Sequence, residues 1–265
     1  MPKAFTENGI IEYQITGSGK PMAMLLPQST GPFGIANFIK AISKNFSVLT
    51  YDQNNSAYSN SKKRLGTRSI EQYADEVARL LETIGCKETL LCCHSTGCGI
   101  GLALTACFPE RIQGLALINP WFGSDNYLIS IQNLRIKMAK ILDPKTYSEF
   151  NSSLLFPPYY RRMYHTEFEQ LAKSAIRHPH DPNRIENRLN AIVKYDARPI
   201  SDRIRCPTLV ISAQDDQLMP KWFSEDLAGN IEQAKLLILK DGGHMLLETR
   251  GDIIARELQK FSMSI

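Results

Sequence analysis

The segment Leu90-Leu91-Cys92-Cys93-His94-Ser95-Thr96-Gly97-Cys98-Gly99 places a serine where a short apolar run ends and a small-residue, helix-like run begins. A strand that breaks at a serine and feeds a helix pushes the hydroxyl out at the end of a sheet, in a strained turn above the helix N-terminus. That is the setting of a nucleophile able to attack a carbonyl carbon. The turn is tight, so the residues two before and two after the serine must be small. Gly97 meets the second demand, and Cys93 stands where glycine is usual but is small enough to fit. The N–H of the following residue, Thr96, points where an oxyanion would form.

A serine nucleophile needs a base to take its proton and an acid to hold that base. Five histidines are available: His94, His165, His178, His180 and His244. His94 adjoins the serine in sequence, which turns its side chain away from it. The next three fall in a charge-rich central stretch. His244 follows the final apolar run in Asp241-Gly242-Gly243-His244-Met245, at the strand end where an open α/β sheet gathers its active site. The acid is expected after the preceding strand, where Ala213-Gln214-Asp215-Asp216-Gln217 supplies it.

Those positions require a particular frame. Met22–Leu26, Phe46–Tyr51, Leu90–His94, Gly114–Ile118, Thr208–Ser212 and Lys235–Leu239 are short apolar runs that read as strands. Between them, Ile70, Tyr73, Ala74, Val77, Leu80, Leu81 and Ile84 recur at helical spacing and end at Gly85. A weaker helix is expected over Ile35–Ile42, and another over Asp252–Phe261. Near the start, Glu7-Asn8-Gly9 reads as a hairpin turn. The alternation predicts an α/β fold with a mostly parallel central sheet flanked by helices. From about Trp121 to Asp202 no strand is discernible. The expected organisation is a core formed by residues 1–121 and 203–265, with residues 122–202 inserted as a helical cap.

With these motifs in place the chain resembles the α/β-hydrolase superfamily over nearly its whole length. The stretch Pro207-Thr208-Leu209-Val210-Ile211 through Asp216 to Pro220 matches the family's strand-and-acid signature, with Ala213 in a glycine place. That register selects Asp216 over Asp215, and the order Ser95, Asp216, His244 is the one the family uses. The resemblance also assigns the second oxyanion N–H to Ser29, within Pro27-Gln28-Ser29, where Gln28 replaces a flexible glycine. Its amide would reach the substrate or plug the pocket. The small-substrate members are the most similar: enol-lactonases, meta-cleavage product hydrolases and the aminoacrylate hydrolase of pyrimidine degradation. Tyr51-Asp52-Gln53 and Glu186-Asn187-Arg188-Leu189-Asn190-Ala191 carry the last likeness.

The implied function is a serine hydrolase of a small carbonyl substrate (an ester, lactone or amide/carbamate-like compound) acting through an acyl-enzyme. Carbon–carbon bond hydrolysis, and a weakly catalytic ligand-binding protein, are the alternatives. Trp121, Phe122, Phe156, Tyr159 and Tyr160 are candidates to line an apolar pocket, while Arg161, Arg162 or Arg188 would meet a carboxylate. Of these, Trp121, Tyr159 and Arg188, together with Gln28, are the expected substrate contacts. No cofactor and no metal are expected. A net charge of +4 spread over scattered basic residues argues against nucleic acid as a partner. The absence of a long apolar run argues against a membrane span. Six cysteines in mostly apolar settings suit reduced thiols and a cytoplasmic location. Oligomeric state is left open.

Overall fold

The computed structural model describes residues 2–6, 9–27, 29–53 and 68–265. The expected hairpin turn at Glu7-Asn8 and most of the polar loop after Asp52 lie outside the described residues. In chain order the first half contains β1 (Lys3–Thr6), β2 (Gly9–Thr16), β3 (Lys20–Leu25), α1 (Ala36–Ile42), β4 (Phe46–Tyr51), α2 (Ile70–Thr83), β5 (Thr89–His94), α3 (Thr96–Cys107) and β6 (Ile112–Ile118). Helices α4 (Asn126–Ile141), α5 (Pro144–Leu155), α6 (Pro158–Met163), α7 (His165–Arg177) and α8 (Pro182–Lys194) follow. After a 3-10 turn come β7 (Thr208–Ala213), α9 (Lys221–Asn230), β8 (Ala234–Leu239), α10 (Leu246–Thr249) and α11 (Gly251–Met263).

The strands form one eight-stranded sheet in the order β1-β2-β4-β3-β5-β6-β7-β8. β1 and β2 pair antiparallel, β2 joins β4 antiparallel, and every pairing from β4 to β8 is parallel. Parallel strands covered on both faces are apolar at every position rather than alternately. Here Ala23, Leu25, Leu91, Cys93, Leu115, Leu117 and Val210 face one core, shared with α2, α3 and α9. Met22, Met24, Leu90, Cys92, Ala116, Ile118 and Ile211 face the other, shared with α1 and α11. The adjacent thiols Cys92 and Cys93 thus point to opposite sides of the sheet, as the two-residue period requires.

Two helices were not legible in the pattern. α9 buries only Phe223, Ser224 and Leu227, too few positions to show a period, and α10 is four residues long. α2 is defined more sharply. The Ser69 hydroxyl accepts the Gln72 N–H at 3.3 Å and the Gln72 amide oxygen accepts the Ser69 N–H at 2.9 Å, a reciprocal cap. No helix among the described residues is long and apolar enough to cross a membrane.

α3 lies against β5 at very close range. A methyl group on Gly101 would come within 2.4 Å of the Cys93 sulfur, although it would meet the Cys93 Cβ at an ordinary 3.5 Å. The space a glycine would leave at position 93 is therefore filled by sulfur and recovered by having no side chain at 101. Gly→Ala in an open helix stabilises by up to about 1 kcal/mol. Gly101→Ala is expected instead to destabilise by about 2–3 kcal/mol, because a packed core does not absorb an extra methyl. Adding Cys93→Ala should recover most of that loss. Urea denaturation of the two single variants and the double variant measures the coupling, and additive losses would refute the sulfur as the obstacle.

Candidate functional site

Ser95 sits at the junction of β5 and α3 with φ 53° and ψ −118°, a left-handed backbone that costs a non-glycine residue on the order of 1–3 kcal/mol. Its N–H donates to the Ile118 carbonyl at 2.9 Å, which fixes the turn to β6. Gly97 is required by close approach, since a Cβ there would stand 1.9 Å from the Leu25 carbonyl oxygen. Thr96 is the first residue of α3, so its N–H has no carbonyl four residues back to bond within the helix.

Three side chains from three strand ends converge. The Ser95 hydroxyl donates to His244 Nε2 at 2.7 Å, and His244 Nδ1–H donates to Asp216 Oδ2 at 2.8 Å. All three are buried, at 4 %, 1 % and 3 % exposure for Ser95, His244 and Asp216. The second carboxylate oxygen of Asp216 accepts the N–H groups of Leu218 and Met219 at 2.8 and 2.9 Å. Asp215 has a different task, accepting the Gly243 N–H at 2.8 Å through its side chain. The two neighbouring acids thus hold the imidazole and the loop that carries it.

That loop is anchored from below by residues with no role in the sequence reading. The His244 carbonyl accepts from Asn119 Nδ2 at 2.8 Å and from His94 Nε2 at 2.7 Å. Asn119 also donates to the Gly243 carbonyl at 3.0 Å and accepts the Ala213 N–H at 3.2 Å, tying the His loop to the end of β7. Because a carbonyl only accepts, His94 carries its proton on Nε2. Burial, reinforced by the neighbouring His244, pushes its pKa down to about 3, so it remains neutral. The signals that mark these residues are an Asn-Pro step closing β6, with Asn119 at φ 49°, and a histidine ending an otherwise apolar buried strand. His244 N–H donates outward to the Leu155 carbonyl at the end of α5, at 3.0 Å.

Ser95, Thr96, His244 and Ser29 all line one cavity of about 20 Å³, room for little more than a water molecule. Arg188 lines it as well. Trp121 does not: it is fully buried in the core, against Tyr195 and against Gly99, where a Cβ would lie 2.7 Å from the indole ring. The expectation that it contacts substrate is corrected, since a large ring beside a glycine-lined helix face fills core volume. Tyr159 is also corrected. It is half-exposed, with its ring under the Arg250 guanidinium at 5.3 Å, away from that cavity. Phe156 and Tyr160 stack at 5.7 Å as core behind Leu155 and Met245. Gln28 lies outside the described residues. Among the described residues no group of three or more His, Cys, Asp or Glu side chains is placed to hold a metal ion.

Glu248 on α10 reaches back over the loop that follows Ser29. Its Oε1 accepts the Phe33 N–H at 3.4 Å and its Oε2 is buried without a partner. Burial raises its pKa to about 7, against the opposing pull of the Phe33, Gly31 and Gly34 N–H groups.

Comparison with known proteins places this chain among relatives. The family described as alpha/beta hydrolase fold matches residues 26–250. A protein of Azorhizobium caulinodans provisionally named carbamate hydrolase RutD is 28 % identical, over 98 % of both chains. A second, from Stutzerimonas stutzeri and named likewise, is 30 % identical over 88 % of this chain and 89 % of its own. The enol-lactonase of Burkholderia xenovorans superimposes with a TM-score of 0.84 at 24 % identity, covering 99 % of this chain and all of that one. A thermophilic esterase of Thermogutta terrifontis gives 0.81 at 18 %, over 99 % and 98 %. At those identities the two structures establish likeness of fold.

Two outcomes follow from the supports of the site. Asn119→Ala strips two donors from the His244 loop and is expected to cost about 2 kcal/mol in urea denaturation. It should also slow covalent labelling of Ser95 by about tenfold, because the imidazole loses its register. Glu248 has a folded pKa above its unfolded value of 4.5, so its protonated form is the one the fold favours. Its contribution is complete below about pH 4.5 and is lost as the pH rises through about 7. Glu248→Gln should therefore gain on the wild type by about 1–2 kcal/mol at pH 8 and not at pH 4, allowing for its partial exposure. An equal difference at both pH values in urea denaturation would contradict this.

Proposed function

This chain belongs to the α/β-hydrolase fold family, and from that premise we propose that it is a serine hydrolase of a small carbonyl substrate. The observation that carries the reading is the unbroken hydrogen-bonded line from Ser95 through His244 to Asp216, at 2.7 and 2.8 Å, buried at the C-terminal ends of β5, β8 and β7. In this reading His244 removes the Ser95 proton as Oγ attacks the carbonyl carbon. Asp216 keeps the imidazole in the tautomer that accepts at Nε2 and stabilises its positive charge. The N–H groups of Thr96 and Ser29 hold the developing oxyanion. His244 then protonates the leaving group, takes a proton from water, and the water hydrolyses the acyl-enzyme.

Helices α4–α8, within residues 122–202, act as a cap over a core made of residues 1–121 and 203–265. They contribute Arg188 to the site and close the cavity down to about 20 Å³, which favours a small acyl group. The names of the two bacterial relatives support carbamates among the candidate substrates.

Treatment with a fluorophosphonate, read by intact mass, should give one adduct on the wild type and none on Ser95→Ala. Hydrolysis of p-nitrophenyl acetate should fall by about 10⁴ or more in Ser95→Ala and His244→Ala. A folded wild-type protein that neither labels nor turns over the ester would overturn the assignment.

A further inference from the structure

The cavity of Ser95 is walled in part by polar side chains of α4, Gln132 and Arg135. A second cavity, of about 240 Å³, adjoins the loop that leads from Ser29 to α1 and is walled mainly by rings. Phe33 on that loop, Phe38 on α1, Tyr160 on α6 and Tyr164 between α6 and α7 are its aromatic walls. Leu247 and Glu248 on α10 stand beside them. None of these residues lines the cavity of Ser95.

The rings form a corner rather than a stack. Phe33 and Tyr164 meet edge to face, with centroids 4.9 Å apart and planes at 79°. Tyr160 lies 4.7 Å from Tyr164 at 57°. Despite its contact with Tyr164, Phe33 keeps 39 % of its surface exposed, so apolar area remains for a ligand to cover.

Glu248 is the one residue of charged type in this wall. Its carboxylate is fixed by backbone and not by a cation. Oε1 accepts the Phe33 N–H, and a Cβ on Gly31 would lie 2.4 Å from Oε2, which is buried with no partner. Among the described residues no Lys, Arg or His pairs with it, and the nearby Arg250 guanidinium is taken by Asp241. A half-buried carboxylate without a counter-charge, next to the negative faces of several rings, attracts a cation more strongly than the same groups would in open water.

The same walls select the kind of cation. A primary ammonium carries three N–H donors, and losing their water is costly where few acceptors replace it. A methylated ammonium has no such donors and presents methyl groups to the rings. We propose that this cavity is a second binding site, for a small trimethylammonium compound, with Phe33 and Tyr164 as its aromatic walls and Glu248 as its counter-ion. A volume of about 240 Å³ leaves space beside the head group for a short tail. Nothing in this assignment depends on Ser95, so binding alone tests it, whatever the outcome for the hydrolase reading.

The test is a calorimetric titration with choline. The controls are ethanolamine and the neutral alcohol in which a tert-butyl group replaces the trimethylammonium. Choline should bind the wild type about tenfold more tightly than either control. Glu248→Gln should bring choline and the neutral alcohol to within about twofold of each other, because only the charge preference is lost. Phe33→Leu keeps an apolar side chain at an exposed position and is the second variant. It should weaken choline by about threefold to tenfold and leave the neutral alcohol nearly unchanged. Choline binding no tighter than the neutral alcohol or ethanolamine would overturn the site, as would no choline binding at all. Choline binding that neither variant moves would place the ligand elsewhere and overturn it equally.

Discussion

The closeness of one helix to one sheet governs this molecule. α3 can start directly from β5 only because Gly97 lets it rest on the Leu25 carbonyl and Gly101 lets it rest on the Cys93 sulfur. That proximity forces Ser95 into a left-handed backbone, and the surrounding parallel strands hold it there. The strain at one residue is local, whereas the packing that maintains it extends across both faces of the sheet. Everything else at the site is arranged around a hydroxyl whose position is thus set by main-chain contacts.

The imidazole is held by a comparable logic with other materials. Its carbonyl takes hydrogen bonds from Asn119 and His94, its neighbour Gly243 is held by Asp215, and its ring is held by Asp216. These four residues come from the ends of β5, β6 and β7, so the His loop is referenced to three strands at once. His94 contributes as a neutral donor because burial keeps it from charging. A second positive ring 5.7 Å from His244 would oppose the charge that His244 takes on in the proposed reaction.

What could be read from the sequence follows from which constraints are local. The central parallel strands were visible because burial on both faces makes them apolar throughout, and Ser95 and Asp215-Asp216 were visible because each lies just beyond such a strand; His244 was visible because it follows the apolar run of the edge strand β8, although that strand is only partly buried. The aromatic residues of the central stretch were not resolvable this way. An indole that fills a core and one that lines a pocket have the same composition, and only packing against Gly99 separates them for Trp121. Gln132 and Arg135 left a fainter trace. Leu128, Gln132, Arg135, Ile136 and Ala139 are the buried positions of α4 at helical spacing, and two of the five are polar. A polar residue on the inward stripe of a helix is the signature of a lined cavity, but it emerges only once the inward stripe is known.

The inner cavity, at about 20 Å³, is smaller than any acyl group of four or five heavy atoms. Occupancy therefore requires its walls to shift, and those walls are flexible or aliphatic side chains: Leu155, Leu189, Ile192, Leu218 and Met245. Apparent affinity for any substrate is the intrinsic affinity multiplied by the fraction of molecules already expanded. A weak Michaelis constant would then reflect the rarity of the expanded form as much as poor contacts. Trimming a wall side chain would tighten apparent binding for large and small ligands alike, so selectivity for size and strength of binding are set by the same few side chains.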